Sequence, residues 1–304
     1  MAGQTATDVT VDAEALQGFV EGVRGAVLRA GDPGYDEARA IWNGLIDRRP
    51  ALIVQCTGAA DVVDAVNFAR EQDLPLSIKA GGHNVAGNAV NDGGLVIDLS
   101  QMRGVHVDPS TRTVRAQGGA TWGDADRETQ LHGLAVPGGV VSTTGIAGLT
   151  LHGGVGHLRR KHGLSIDNLA SVDIVTADGQ PRRASATENE DLFWAVRGAG
   201  SNFGVVTSFE FRAHPVGPLV MVGAVFYPQG RRGRCCPPGA TTWPRPRTSS
   251  ARSPSCGTSR RTSPSRPSTT ARPCSSWPPC TRAPSSTASP SCSRCASSAG
   301  RSST

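Results

Sequence analysis

A histidine follows a pair of glycines in Ala80-Gly81-Gly82-His83-Asn84, with Val85 next in line. Neutral imidazole is a nucleophile near neutral pH. Two glycines let a backbone turn sharply or pass close to another body, and successive N–H groups in such a turn can form a nest for phosphate oxygens. A second segment, PGGVVSTTGIAGLTLHGGVG (137–156), carries Gly138, Gly139, Gly145, Gly148, Gly153, Gly154 and Gly156 beside Ser142, Thr143 and Thr144. So much glycine among hydroxyls suits a backbone laid against a long, flat, phosphate-bearing cofactor. Either segment alone reads as a tight turn; together they favour a dinucleotide.

Competing motifs are weaker. GAGSNFG (198–204) contains Gly-x-Gly, but it follows a predicted helix and precedes a predicted strand, the reverse of the context a Rossmann site needs. No Gly-Lys-Ser/Thr is present for a P-loop. His152, His157 and His162 recur every five residues, a spacing that does not share one helix face, so no metal site is expected. Cys292 and Cys295 have ligand spacing but no partner pair.

The elements that would hold these segments alternate. Residues 11–31 have helical apolar spacing and a glycine stop. A strand over 50–56, a helix over 58–73 with Val62, Val66 and Ala69 facing inward, and a strand over 74–80 make a βαβ unit with parallel strands. The Gly-Gly-His-Asn turn therefore stands at a strand's carboxyl end, where α/β proteins bind ligands. A third strand (93–100), a strand pair around Asp-Pro-Ser (104–119) and a helix (122–133) follow. After the glycine-rich segment come a strand (171–179), a helix (188–200) and a strand (203–215). Parallel α/β comes first, then an antiparallel α+β half. Residues 217–228 read as the first strand of a further domain.

Composition divides the 304-residue chain in two. Residues 231–304 use only Arg, Gly, Cys, Pro, Ala, Thr, Trp and Ser, with no aliphatic residue beyond alanine and no acid. Such a segment cannot bury enough surface to offset the entropy of ordering, so it is expected to be disordered. Every codon for those eight residues has G or C in the middle, the signature of a GC-rich gene read out of frame. The tail holds 13 of the 31 basic residues, so residues 1–230 carry a net charge of −7 although the whole chain is formally +6. The basic balance therefore does not argue for nucleic-acid binding. No apolar run is long enough for a membrane span, and the N-terminus has neither the basic start nor the apolar core of a secretory leader. The cytoplasm is the expected setting, and Cys56 is the one cysteine before the tail.

IKAGGHN, PGGVVSTTGIAGLTLHGGVGHLRRKHGLSIDNL, DIVTADG and DLFWAVRGAGSNFGVVTSFEF resemble, in order and spacing, the FAD domain of the berberine bridge enzyme-like oxidoreductases, within the vanillyl-alcohol oxidase or PCMH-type flavoproteins. The resemblance covers about residues 35 to 228. It implies an α+β, PCMH-type FAD-binding fold of two α/β subdomains with the flavin between them. It also implies an N-terminal helical segment (1–34), an FAD domain (35–216), the first strand of an incomplete substrate domain (217–230) and the tail (231–304). By the same resemblance His83 would be bound covalently to the flavin, the two glycine segments and Asn168 would line the cofactor, and the backbone at Ile174 would meet its adenine end. Val141 stands where doubly linked members have cysteine, so a cysteinyl link is not expected. His152 stands where related chains usually have glycine and would either crowd the cofactor or point outward. The implied reaction is oxidation of an alcohol, amine or sugar carbon of a small molecule, with oxygen as acceptor. The expected catalytic base lies in the domain that the tail replaces, and none can be named here.

Overall fold

The computed structural model describes residues 11–221. Helix α1 (Ala13–Gly22) is capped by Asp12, whose carboxylate accepts from the Ala15 N–H at 2.7 Å. It does not continue to residue 31 as the apolar spacing suggests. The chain leaves the helix at Val23 and enters a short strand, β1 (Ala26–Leu28), antiparallel to β2 (Leu52–Gln55). Gly25 permits this. A Cβ there would lie 2.0 Å from the Gln55 carbonyl oxygen, so only glycine lets the two backbones come together. Residues before 35 pack onto this first sheet and its helix: β1 belongs to the sheet and Phe19 of α1 stacks on Phe68 at 4.2 Å.

A short helix α2 (Tyr35–Arg39) leads to β2 and then to α3 (Ala59–Glu71), β3 (Leu76–Lys79) and β4 (Leu95–Asp98). Val62, Val66 and Ala69 of α3 are buried as their spacing requires, with Ala65 and Phe68 beside them. Strands β2 and β3 are parallel, but β4 lies between them, giving the order β1-β2-β4-β3. Leu52, Val54, Leu95 and Ile97 complete this first core, each side chain contributing about 1.5–3 kcal/mol on full burial.

The second half is antiparallel throughout. Strands β5 (Val105–Asp108), β6 (Thr113–Gln117), β8 (Leu169–Val175), β9 (Pro181–Ser185) and β10 (Val205–Arg212) form a sheet in the order β5-β6-β10-β8-β9. Helices α4 (Trp122–Gln130), α5 (Ile146–Leu151) and α7 (Glu190–Ala199) supply Trp122, Ile146 and Phe193 to the core made with Val172, Phe209 and Phe211. The other side of this sheet is polar, with Arg115 paired to Asp173 and Arg183 to Glu210. A one-turn helix α6 (Arg159–His162) follows the glycine-rich segment, and two-residue strands β7 (Leu134–Ala135) and β11 (His214–Pro215) pair with each other. Strand β10 serves both cores: Val205 packs in the first and Val206 in the second.

Residues 217–221 form no strand and leave Leu219 and Met221 exposed. The rest of the expected strand, 222–230, and the whole 231–304 tail lie outside the described residues. Among the described residues no helix is long and apolar enough to cross a membrane.

Candidate functional site

Strand β3 aims the first glycine segment. Lys79 at its end reaches the Ala38 carbonyl and sits 3.5 Å from the buried Asp98 carboxylate, so the strand leaves the sheet at a fixed place. Ala80 follows, half buried, and Gly81 runs directly into the second segment. A Cβ on Gly81 would stand 2.3 Å from the Gly145 nitrogen, and one on Gly145 would stand 2.6 Å from the Gly81 nitrogen. The two glycine-rich segments predicted from sequence therefore meet backbone to backbone.

The second segment is held from beneath. Trp122 and Ile146 N–H groups bond to the Thr144 and Ala120 carbonyls, and Gly123 bonds to Ser142. Thr121 and Asp124 form a capping box at the start of α4. Gly138 lies on the Trp122 ring, Gly139 against Trp122 and Leu149, Gly154 against Ser165, and Gly156 against the Gly138 carbonyl. Much of the glycine content thus serves close packing of loop on loop, a reason the sequence alone does not distinguish from ligand contact. Gly153 hands the chain from α5 to that packing, its carbonyl accepting from Ile166 N–H at 3.0 Å. Gly148 is the exception. It is exposed within α5 and a Cβ there would meet nothing within 4 Å.

What the packing leaves over is a set of donors. The backbone N–H groups of Gly81, Gly82, His83, Asn84 and Val85 bond to no acceptor among the described residues, nor do those of Gly138, Gly139, Val140, Val141, Ser142 and Thr143. Orphan amides lining two touching turns make a cradle for an anion such as a pyrophosphate. The apolar side chains Val85, Val140, Val141 and Val155 are exposed on these same loops, which suits a flat apolar ring. The residues present therefore fit a flavin dinucleotide.

His83 stands where the loops meet. Its Nε2 lies 3.2 Å from the Thr143 hydroxyl, and its ring stacks on Trp42 with centroids 5.9 Å apart and planes 20° from parallel. The Trp42 N–H bonds the Gly82 carbonyl, Asn43 Nδ2 the Val85 carbonyl and Arg48 the Gly87 and Val90 carbonyls. Segment 42–48 is thus a brace for the first turn, and sequence reasoning missed it; Trp42 beside Leu45 and Ile46 in a loop was the available signal.

Three predicted positions behave differently. Asn168 is buried and uses its side chain internally: its amide donates to the His162 and Leu164 carbonyls, and its oxygen lies 2.7 Å from His214 Nε2. Ile174 is buried inside the five-stranded sheet, its backbone in register with Arg182 on one side and Val206 on the other. It borders a groove of about 670 Å³ whose other walls include His106, Arg115 and Arg183, and none of the His83 loop residues line that groove. The structure therefore does not bring Ile174 to the two glycine turns, because a central strand's backbone is committed to its ladder. His152 turns its Nδ1 to the Gly148 carbonyl at 2.8 Å and its ring edge toward Gly200.

Comparison with known proteins agrees with this geometry. The FAD binding domain family matches residues 50–185. An FAD-linked oxidoreductase of Dictyostelium discoideum is 42% identical over 211 residues, covering 69% of this chain and 46% of that protein. The crystal structure of 6-hydroxy-D-nicotine oxidase from Arthrobacter nicotinovorans superposes with a TM-score of 0.63 at 42% identity, covering 64% of this chain and 43% of that one. Glucooligosaccharide oxidase from Acremonium strictum, described as having a 6-S-cysteinyl, 8α-N1-histidyl FAD, gives 0.62 at 31% identity, covering 66% and 42%. The chain spans less than half the length of these relatives.

Proposed function

We propose that this chain, which belongs to the berberine bridge enzyme-like, PCMH-type FAD-linked oxidoreductases, holds FAD between its two glycine turns with His83 as the covalent attachment residue. The observation that supports this most directly is the run of unpaired amides converging on the His83–Thr143 pair. The N–H groups of Gly81 to Asn84 and of Gly138 to Thr143 would receive the pyrophosphate oxygens. Ser142 and Thr144 add hydroxyls beside them, and Gly145 keeps the two turns in contact. Gly148 would lie flat against the cofactor, since it presents an open helical surface. With Val141 in the second turn no thioether can form there.

When bound, the flavin supplies hydride acceptance from an alcohol, amine or sugar carbon, with oxygen as the final acceptor. The chain's own residues bind and orient it: Lys79 and the 42–48 brace fix the first turn, and α4 fixes the second. Among the described residues the one side chain hydrogen-bonded to His83 is that of Thr143. Among the described residues no carboxylate or tyrosine is hydrogen-bonded to it for substrate deprotonation, a task that typically contributes about 10²–10⁴-fold. That observation favours a second reading, a flavin-binding fragment without turnover, and the composition of 231–304 supports a frameshift as its origin.

The test is acid denaturation of the purified protein. Yellow colour that stays with the polypeptide, and that His83→Ala releases, is the expected result. Colour retained by His83→Ala would sink the attachment. Reduction of the flavin by a panel of alcohols, amines and oligosaccharides under nitrogen separates the two readings, and sequencing the gene across codons 225–235 tests the frameshift.

A further inference from the structure

Resting on the reading of His83 as the attachment residue, we propose that Thr143 is a positioning residue that fixes the tautomer of His83: Nε2 holds the ring proton and donates it to the Thr143 hydroxyl, while Nδ1 keeps its lone pair for bond formation. A neutral imidazole carries one N–H and one bare nitrogen, and the hydrogen bond made by one nitrogen decides the state of the other. In His83 only Nε2 has a partner among the described residues, Thr143 Oγ1 at 3.2 Å. Two arrangements satisfy that contact. If the hydroxyl donates to Nε2, the proton must sit on Nδ1, where no acceptor waits. If Nε2 donates, the surplus proton is the hydroxyl's. Thr143 is exposed and gives that proton to water, whereas His83 is half buried beneath Trp42. The second arrangement leaves no N–H unpaired.

Trp42 completes the device. Its ring lies along the imidazole and its backbone N–H is tied to the Gly82 carbonyl, so a ring rotation that takes Nε2 away from Thr143 must disturb the stack. Joining Nδ1 to the flavin's 8α carbon breaks one C–H bond and forms one C–N bond. The methyl proton and the Nε2 proton leave, two electrons remain with the flavin, and oxygen takes both electrons and both protons as hydrogen peroxide. As the new bond forms, positive charge builds on the ring and strengthens the Nε2–H bond to Thr143. The threonine thus sets the starting tautomer and passes the departing proton on to water, from which the reduced oxygen takes it up.

The experiment uses the full chain, labelled with ¹⁵N-histidine and produced flavin-free under riboflavin starvation. Long-range ¹H–¹⁵N spectra of the neutral His83 ring should show a protonated Nε2 and a bare Nδ1. In Thr143→Val the two tautomers should mix, and in Thr143→Ser the original pattern should return. On adding FAD, Thr143→Val should attach it roughly 3- to 10-fold more slowly, the effect of about one hydrogen bond, read as a mass increase on the denatured chain. A circular dichroism melt of flavin-free Thr143→Val that matches the unsubstituted protein shows that the fold is intact. A proton on Nδ1 in the unsubstituted protein, or an unchanged tautomer and attachment rate in Thr143→Val, overturns the proposal. Covalent flavin in His83→Ala would instead overturn the attachment reading, while the spectra alone decide the tautomer.

Discussion

Gly81 and Gly148 are both glycines of the proposed cradle, and replacing each by alanine separates packing from ligand contact. At Gly81 the new methyl would stand 2.3 Å from the Gly145 nitrogen and 2.7 Å from its Cα. Carbon contacts settle near 3.5–4.0 Å, so one backbone must retreat by about 1 Å. It cannot do so freely, because Gly145 sits between the Trp122–Thr144 and Ile146–Ala120 hydrogen bonds. Overpacking of this kind costs about 1–3 kcal/mol, and in a domain of this size each kcal/mol lowers Tm by about 2–4 °C. Gly81→Ala should therefore unfold about 2–12 °C lower, with or without flavin. Gly148 is exposed in α5 with nothing within 4 Å of a built Cβ. Alanine there gains about 0.5–1 kcal/mol of helix propensity, so the flavin-free Tm should hold or rise slightly. If the cofactor lies on that surface, however, the methyl displaces it, and affinity should fall by roughly 5- to 150-fold for the same overpacking cost. Circular dichroism melts of flavin-free protein and titration of FAD fluorescence measure the two effects independently. Unchanged FAD affinity in Gly148→Ala would refute the assignment of that helix face, and an unchanged Tm in Gly81→Ala would refute the contact between the turns.

Two further outcomes follow from the electrostatics. Burial first, with Lys161 beside it, lowers the His162 pKa, and burial, then His162, Arg212, Lys161 and Arg112, lower that of His214, whose ring stacks on His162 at 3.9 Å. The unfolded chain then binds more protons between the lowered folded values and the ordinary value near 6.5, so stability should be level above about pH 7 and fall as the pH drops through that window; His162→Phe should flatten the fall, and parallel pH–Tm curves would discount the pair. The Asp61 carboxylate, which burial alone would push up, is held below its usual range by the Thr57 and Arg24 amides and the Thr57 hydroxyl, at 2.8–3.0 Å. Asp61→Asn should cost about 2–4 kcal/mol in urea unfolding at pH 7, from charge-assisted bonds of about 1.5–3 kcal/mol each, and a loss under 0.5 kcal/mol would show that the loop does not depend on it.

The periodic elements were legible because periodicity reports burial directly. The stripe Val62, Val66, Ala69 and the runs LIVQ and LVID name their own faces, and the Asp-Pro-Ser turn marks a hairpin, whereas strand β9 beyond the Asp-Gly turn was not foreseen. What was not legible depends on distant partners. Strand β1 is three residues in a helical-looking run, and only the approach of Gly25 to Gln55 makes it a strand. Strands β7 and β11 are two residues each and exist through each other. The placement of β4 between β2 and β3 leaves no local trace. At the site, the motif pattern located Asn168 and Ile174 along the chain but said nothing of where their groups point. One amide braces a loop and the other residue fills a sheet.

The same distinction separates the two tasks of such a protein. Holding a dinucleotide needs backbone donors and a fixed turn, both encoded locally by glycine placement and supported by two cores that β10 joins through Val205 and Val206. Those cores draw on residues 11–213 alone among the described residues, and the exposed Leu219 and Met221 contribute to neither. Substrate oxidation needs a base and a near-attack placement of the donor carbon, and neither arises from the turns that hold His83. On the proposed reading of His83 as the attachment residue, cofactor capture and turnover are separable: the contacts that would orient that ring, Thr143 and Trp42, both lie among the residues that form the two cores and their loops.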